Sequence, residues 1–176
     1  MSDIDRRHLV GALVAGGAAI GAAVAAQGTA HAAPVDLAMQ DLKKEADAAC
    51  LYHCDFGDSG RFSQQLRNIG NHLAVYNFDP FAMKIVIVAH AAGIKFFLAD
   101  LAGTPWAEEQ IDPDLDKRMK ALAQNGVEVY LCRVTFANLK IDPAKARSDR
   151  YIKFVPSGIA TAAALQSKGF AYLKVG

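Results

Sequence analysis

Few side chains in this sequence are chemically reactive, and several of them fall at the ends of apolar runs. Cys132 closes the run VEVYL and precedes a short segment of helical character. A thiol at a helix N-terminus meets the positive end of the backbone dipole, which favours the nucleophilic thiolate. Arg133 beside it acts in the same direction. The competing reading of Cys132 is a small buried hydrophobe, because free cysteine is among the most buried residue types. His90 closes the run KIVIVA, just before Ala91-Ala92-Gly93. An imidazole there suits proton transfer to or from such a thiol. A histidine hydrogen-bonded into the turn is the alternative. Asp55 either orients a histidine or caps a turn through its own backbone. Cys54 joins Asp55 and Arg133 as a supporting residue. His72, beside Asn68 and Asn71, reads as part of a wet helix face.

Other chemistries find less support. His53, Cys54, His90 and Cys132 are of zinc- or copper-ligand type. No C-x-x-C or H-x-x-x-H spacing groups them, so no metal and no cofactor is expected. Cys50 and Cys54 lie in one extended run. Four strand residues span about 13 Å, whereas disulfide Cα atoms lie within about 7 Å, so the two share a face without bonding. Pairing of either with Cys132 stays open in an oxidising compartment. Neither a phosphate-cradling glycine loop nor a G-x-S-x-G elbow is present. With 19 Lys+Arg against 18 Asp+Glu, the net charge of +1 argues against a nucleic-acid partner, which would demand a basic excess. Apolar residues make up 52% of the 176, which excludes intrinsic disorder.

The elements that must position these residues alternate. Residues 84–89 and 127–132 are continuous runs rich in β-branched residues, as expected of strands buried on both faces of a parallel sheet. Residues 50–56, 151–155 and 170–175 complete about five strands. Apolar spacing of three and four predicts helices over 35–48, 62–76 and 114–124, with shorter ones over 134–139 and 157–167. Ser59 and Ser157 are expected N-caps. Such alternation predicts one α/β domain, a three-layer sandwich with a mostly parallel sheet and helices on both faces. In sheets of this kind ligands bind beyond the carboxyl ends of the strands. His53-Cys54-Asp55, His90, Cys132-Arg133 and Pro156-Ser157-Gly158 all fall there.

Residues 1–32 read differently. A charged start with Arg6-Arg7 precedes an Ala/Gly-rich apolar run over 9–26 and the small-residue end Ala30-His31-Ala32. This is the pattern of an export signal of the twin-arginine type, with a domain over 33–176 to follow. A retained membrane anchor is the alternative. The export reading predicts a periplasmic protein that meets the membrane only through its signal.

Three segments, KIVIVAH with its following Gly, ALAQNGVEVYLCRVTF and FVPSGIATAAALQSKGFAYLKV, together resemble the DsrE/DsrF-like sulfur-relay family. The resemblance runs from about Leu51 to the C-terminus. It implies a YchN-like α/β sandwich and homo- or hetero-oligomers. It also implies that Cys132, at the position after the third strand, carries sulfane sulfur as a persulfide. His90 and Cys54 match residues without an assigned role. The resulting expectation is an exported sulfur carrier or sulfurtransferase-like homo-oligomer, with small sulfur species or a sulfur-carrier protein as partner. A non-catalytic assembly module and a metal or redox-cofactor binder are the alternatives.

Overall fold

The computed structural model describes residues 33–176, so the export-signal reading of residues 1–32 lies outside the described residues. In chain order the elements are β1 (Val35–Asp36), β2 (Ala48–Cys54), α1 (Ser59–Val75), β3 (Met83–Ala89), α2 (Pro113–Ala123), β4 (Glu128–Cys132), α3 (Arg133–Leu139), β5 (Ile152–Val155), α4 (Gly158–Ser167) and β6 (Ala171–Lys174). A 3-10 helix, Ala91–Phe97, follows β3. The strands form a single six-stranded sheet in the order β1-β5-β4-β3-β2-β6, and every pairing is parallel.

This order explains the layers. From β2 to β5 the chain steps three times in one direction, and right-handed crossovers then place α1, α2 and α3 on one face. The step from β5 back to β6 runs the other way and lays α4 on the opposite face. The two cores match this. Phe62, Ile69, Met119 and Phe136 pack against Tyr52, Ile85, Ile87, Val129 and Phe154. Ala162 and Leu165 of α4, with Leu42, pack against Leu51, Val86, Val88 and Tyr130. Alternate residues of each strand thus serve alternate cores, as the pleat requires. Both faces are covered, which is why β3 and β4 read as unbroken apolar runs.

Local signals set the helix ends. Asp58, not Ser59, caps α1, accepting from the Arg61 N–H at 2.6 Å. Asp112 caps α2 ahead of Pro113, whose fixed φ suits the first turn. Ser157 caps α4 as expected.

One expected element is absent. Residues 35–48 are not a helix. Val35 and Asp36 pair with Lys153 and Phe154 as a sixth, edge strand. Met39–Asp41 is a single 3-10 turn, and Glu45 adopts a left-handed φ of 51° that no helix interior accepts. Of the apolar residues that mimic a helical stripe, Leu42 is buried by tertiary contact, Leu37 and Met39 are half-buried, and Val35 is exposed. Leu42 lies in the α4-side core with Leu37 and Met39 packed against it.

Candidate functional site

Strand register and pleat decide which reactive groups meet. Ala89 of β3 pairs with Leu131 of β4 and with Cys54 of β2. The next residues along, His90, Cys132 and Asp55, therefore stand level at the carboxyl edge of three adjacent strands. Cys54, Ala89 and Leu131 face the α1 side, so the alternation turns Asp55, His90 and Cys132 to the α4 side. His53, one residue before Cys54, shares that side. So does Tyr172 of β6, which pairs with Leu51.

His53 is the best-held member. It is buried on β2, with Nδ1 2.5 Å from the Tyr172 hydroxyl and Nε2 2.5 Å from Nε2 of His90. His90 caps the 3-10 helix that follows β3, and its N–H donates to the Cys54 carbonyl at 3.1 Å. Two glycines permit this packing. A Cβ on Gly93 would stand 2.0 Å from the Cys54 carbonyl oxygen, and one on Gly158 would stand 2.9 Å from Cβ of His90. Only glycine lets the turn lie on β2 and lets α4 start against the His90 ring. On the other flank, the Thr135 hydroxyl of α3 accepts from the Ala91 N–H at 3.1 Å.

Burial disfavours the imidazolium form of both His53 and His90, and each pKa lies below the ordinary histidine value. Lys174 works in the same direction, and the Asp55 carboxylate opposes it. Asp55 itself is held below the usual carboxylate range. Burial raises it, but the Lys174 ammonium at 2.7 Å and the charge of His53 outweigh that.

Cys132 caps α3 and is 4% exposed. It nevertheless lines a cleft of about 510 Å³ together with His90, Trp106, Val134, Asn138 and Ile159. The walls are mainly apolar, and Val134 and Ile159 remain exposed at the rim. An apolar cleft with a few polar groups is the usual form of a small-ligand site.

The other expected residues lie elsewhere. Arg133 points to β1: its guanidinium grips the Asp36 carboxylate at 2.8 and 2.6 Å and stacks 3.7 Å above the Phe154 ring. Cys54 is fully buried in the α1-side core, and burial pushes its thiol pKa far up. Cys50 lies in the same core, also with a raised pKa. All three cysteines are free thiols. His72 is hydrogen-bonded to Tyr52 at 3.1 Å on α1. Sequence reasoning did not place Tyr172, Lys174 or Trp106 at the site. For the first two the signal was the alternation of AYLKV, which sets them on one face of the last strand.

Among the described residues no helix is long and apolar enough to cross a membrane. No curated protein matches the chain. Among solved structures it is similar to MTH1491, a protein of unknown function from Methanobacterium thermoautotrophicum. The two share 20% identity over 73% of this chain and 99% of that one, with a TM-score of 0.56. At that identity the likeness is one of fold. The sequence profile of the DsrE/DsrF-like family matches residues 33–175, which takes in every strand, every helix and each residue of the His53–His90–Cys132 edge. With nearly the whole described fold inside that match, the chain belongs to the DsrE/DsrF-like family.

Proposed function

We propose that the chain is an exported carrier of sulfane sulfur, with Cys132 as the carrying residue. The observation that supports this most directly is that Cys132, buried like the other two thiols, lines a cleft together with His90, whereas Cys50 and Cys54 face the α1-side core. The family, associated with sulfur relay, makes sulfur the natural cargo.

The chemistry is a sulfur transfer between thiolates. His90 takes the Cys132 proton. Its Nε2 faces His53, so Nδ1 is the ring nitrogen left for this task. The Cys132 thiolate attacks a terminal sulfur of a polysulfide of n sulfurs. A Cys132 S–S bond forms, one S–S bond of the donor breaks, and a dianion of n−1 sulfurs leaves. The product is an anionic persulfide, and no external oxidant or reductant enters. The apolar cleft shields it from bulk water. A second thiolate, on a small molecule or a carrier protein, collects the outer sulfur by the reverse exchange.

Export rests on the sequence of residues 1–32, with Arg6-Arg7 ahead of an apolar run and a small-residue end. The working compartment is then the periplasm. The family resemblance supports a homo-oligomer.

Incubating the purified protein with polysulfide and reading its intact mass tests the carrier function. A gain of one sulfur that Cys132→Ser abolishes is the expected result. No gain, or a gain that survives Cys132→Ser, overturns it.

A further inference from the structure

His53, Asp55 and His90 form a group that sulfur transfer at Cys132 does not fully use. One donor atom from each lies within 4.8 Å of the others. His53 and Asp55 belong to one strand end and His90 to its neighbour, so backbone register rather than chance side-chain reach assembles them. The two histidines confront each other through like atoms, Nε2 to Nε2, at 2.5 Å. Zinc binds imidazole nitrogen at about 2.0–2.1 Å, so two tetrahedral donors stand about 3.3 Å apart. Parting the rings by about 0.8 Å would admit an ion between them. We infer that His53, Asp55 and His90 are the ligands of a single divalent transition ion of the zinc class.

The surroundings have the form such a site needs. Metal-bound histidines usually engage their second ring nitrogen with a polar partner, which fixes the ring and its tautomer. The Tyr172 hydroxyl does this for His53, at 2.5 Å from Nδ1. The start of α4 lies close over the His90 ring, since a Cβ on Gly158 would stand 2.9–3.1 Å from its Cβ, Cγ and Cδ2. Lys174 holds Oδ2 of Asp55 and leaves Oδ1 for the ion. The Lys174 charge lowers affinity for a cation, while its hydrogen bond orients the carboxylate.

Two imidazoles and one carboxylate favour a borderline divalent ion over hard and soft ones. Calcium and magnesium take all-oxygen shells, and copper(I) takes soft sulfur. No thiol belongs to the group. Three protein donors leave a fourth tetrahedral position for water or a small anion. With an ion on Nε2, Nδ1 of His90 keeps its proton, so His90 acts as base to Cys132 only in the ion-free protein; the ligand group itself does not include Cys132.

Chelator-stripped full-length protein, titrated with zinc chloride in a calorimeter, gives the test. One zinc per chain is expected. His90→Gln, at a half-buried position, should weaken binding at least tenfold, and His53→Gln should do the same. Tyr172→Phe should weaken it by about tenfold as an outer partner, and His72→Gln should leave it unchanged. Zinc should raise the melting temperature of the wild type and of His72→Gln but not of His90→Gln, whose folding is checked by circular dichroism. Cobalt(II) in the site should show tetrahedral bands without thiolate charge transfer. The absence of saturable binding, binding undiminished in folded His90→Gln, or a thiolate band in the cobalt form would each overturn the assignment. None of these readings depends on the Cys132 mass measurement.

Discussion

Replacing Gly93 with alanine would set a Cβ 2.0 Å from the Cys54 carbonyl oxygen, 2.7 Å from its carbon and 3.0 Å from its Sγ. The obstacles at 2.0 and 2.7 Å are backbone of a central strand, which no rotamer change can move aside. Restoring ordinary contact moves the turn away by about 1.4 Å, a strain of the overpacking kind that costs about 1–3 kcal/mol. That displacement also stretches the His90 N–H bond to the same carbonyl, 3.1 Å in the native turn and worth about 1 kcal/mol. Alanine returns about 0.5–1 kcal/mol through its smaller loss of backbone freedom. The net expectation is a loss of about 1–3.5 kcal/mol. Gly70 supplies the control. It lies within α1, and its added Cβ would meet only Leu122 Cδ2 at an ordinary 3.8 Å. Gly70→Ala should therefore stabilise by about 0.5–1 kcal/mol. Urea unfolding of the two variants beside the wild type, with equal m-values, measures both. Gly93→Ala within 0.5 kcal/mol of wild type, or the same sign for the two substitutions, would refute the close approach of the His90 turn to β2.

Stability should fall on mild acidification. His53 and His90 have pKa values below the unfolded one, chiefly through burial, so between the two values the unfolded chain binds more protons. Their contribution is complete above the unfolded histidine pKa of about 6.5 and is lost as pH drops below it. Melting temperature measured from about pH 7.5 to about pH 5.5 should decrease, and less steeply in His90→Gln; a flat profile contradicts the buried pair. Arg133→Ala should cost about 1–2 kcal/mol, from an exposed ion pair with Asp36 and a stacked Phe154, while leaving sulfur loading of Cys132 intact. Loss of loading in a folded Arg133→Ala protein would return that side chain to the cleft. Ile69→Ala, at a fully buried position of α1, should cost about 2–5 kcal/mol in urea unfolding. A cost under 1 kcal/mol would show that α1 does not seal the core as described.

The sequence was most legible where burial is uniform. KIVIVA and VEVYLC could only be strands covered on both faces, and their ends located His90 and Cys132 on the correct edge. Residues 35–48 were misread because Leu42 is buried in the α4-side core with half-buried Leu37 and Met39 packed one by one against it, a pattern that periodicity alone cannot separate from a helix stripe. Cys54 shows the other limit. It adjoins His53 and Asp55 in the chain, yet the pleat sends it to the opposite core. The partnership of His53 with Tyr172 spans 119 positions and depends on β6 pairing with β2, which no local signal announces. Asp58 displaced the neighbouring Ser59 as cap because either side chain suits the role and only the path of the loop decides.

The most direct test of the account asks which thiol reacts. Native protein is exposed to polysulfide, alkylated, digested, and each cysteine-bearing peptide is weighed. The account predicts the extra sulfur on the Cys132 peptide alone, with Cys50 and Cys54 unmodified until the protein is unfolded. Extra sulfur on Cys54, or a Cys132 that stays unmodified in the native state while reacting once unfolded, would contradict it.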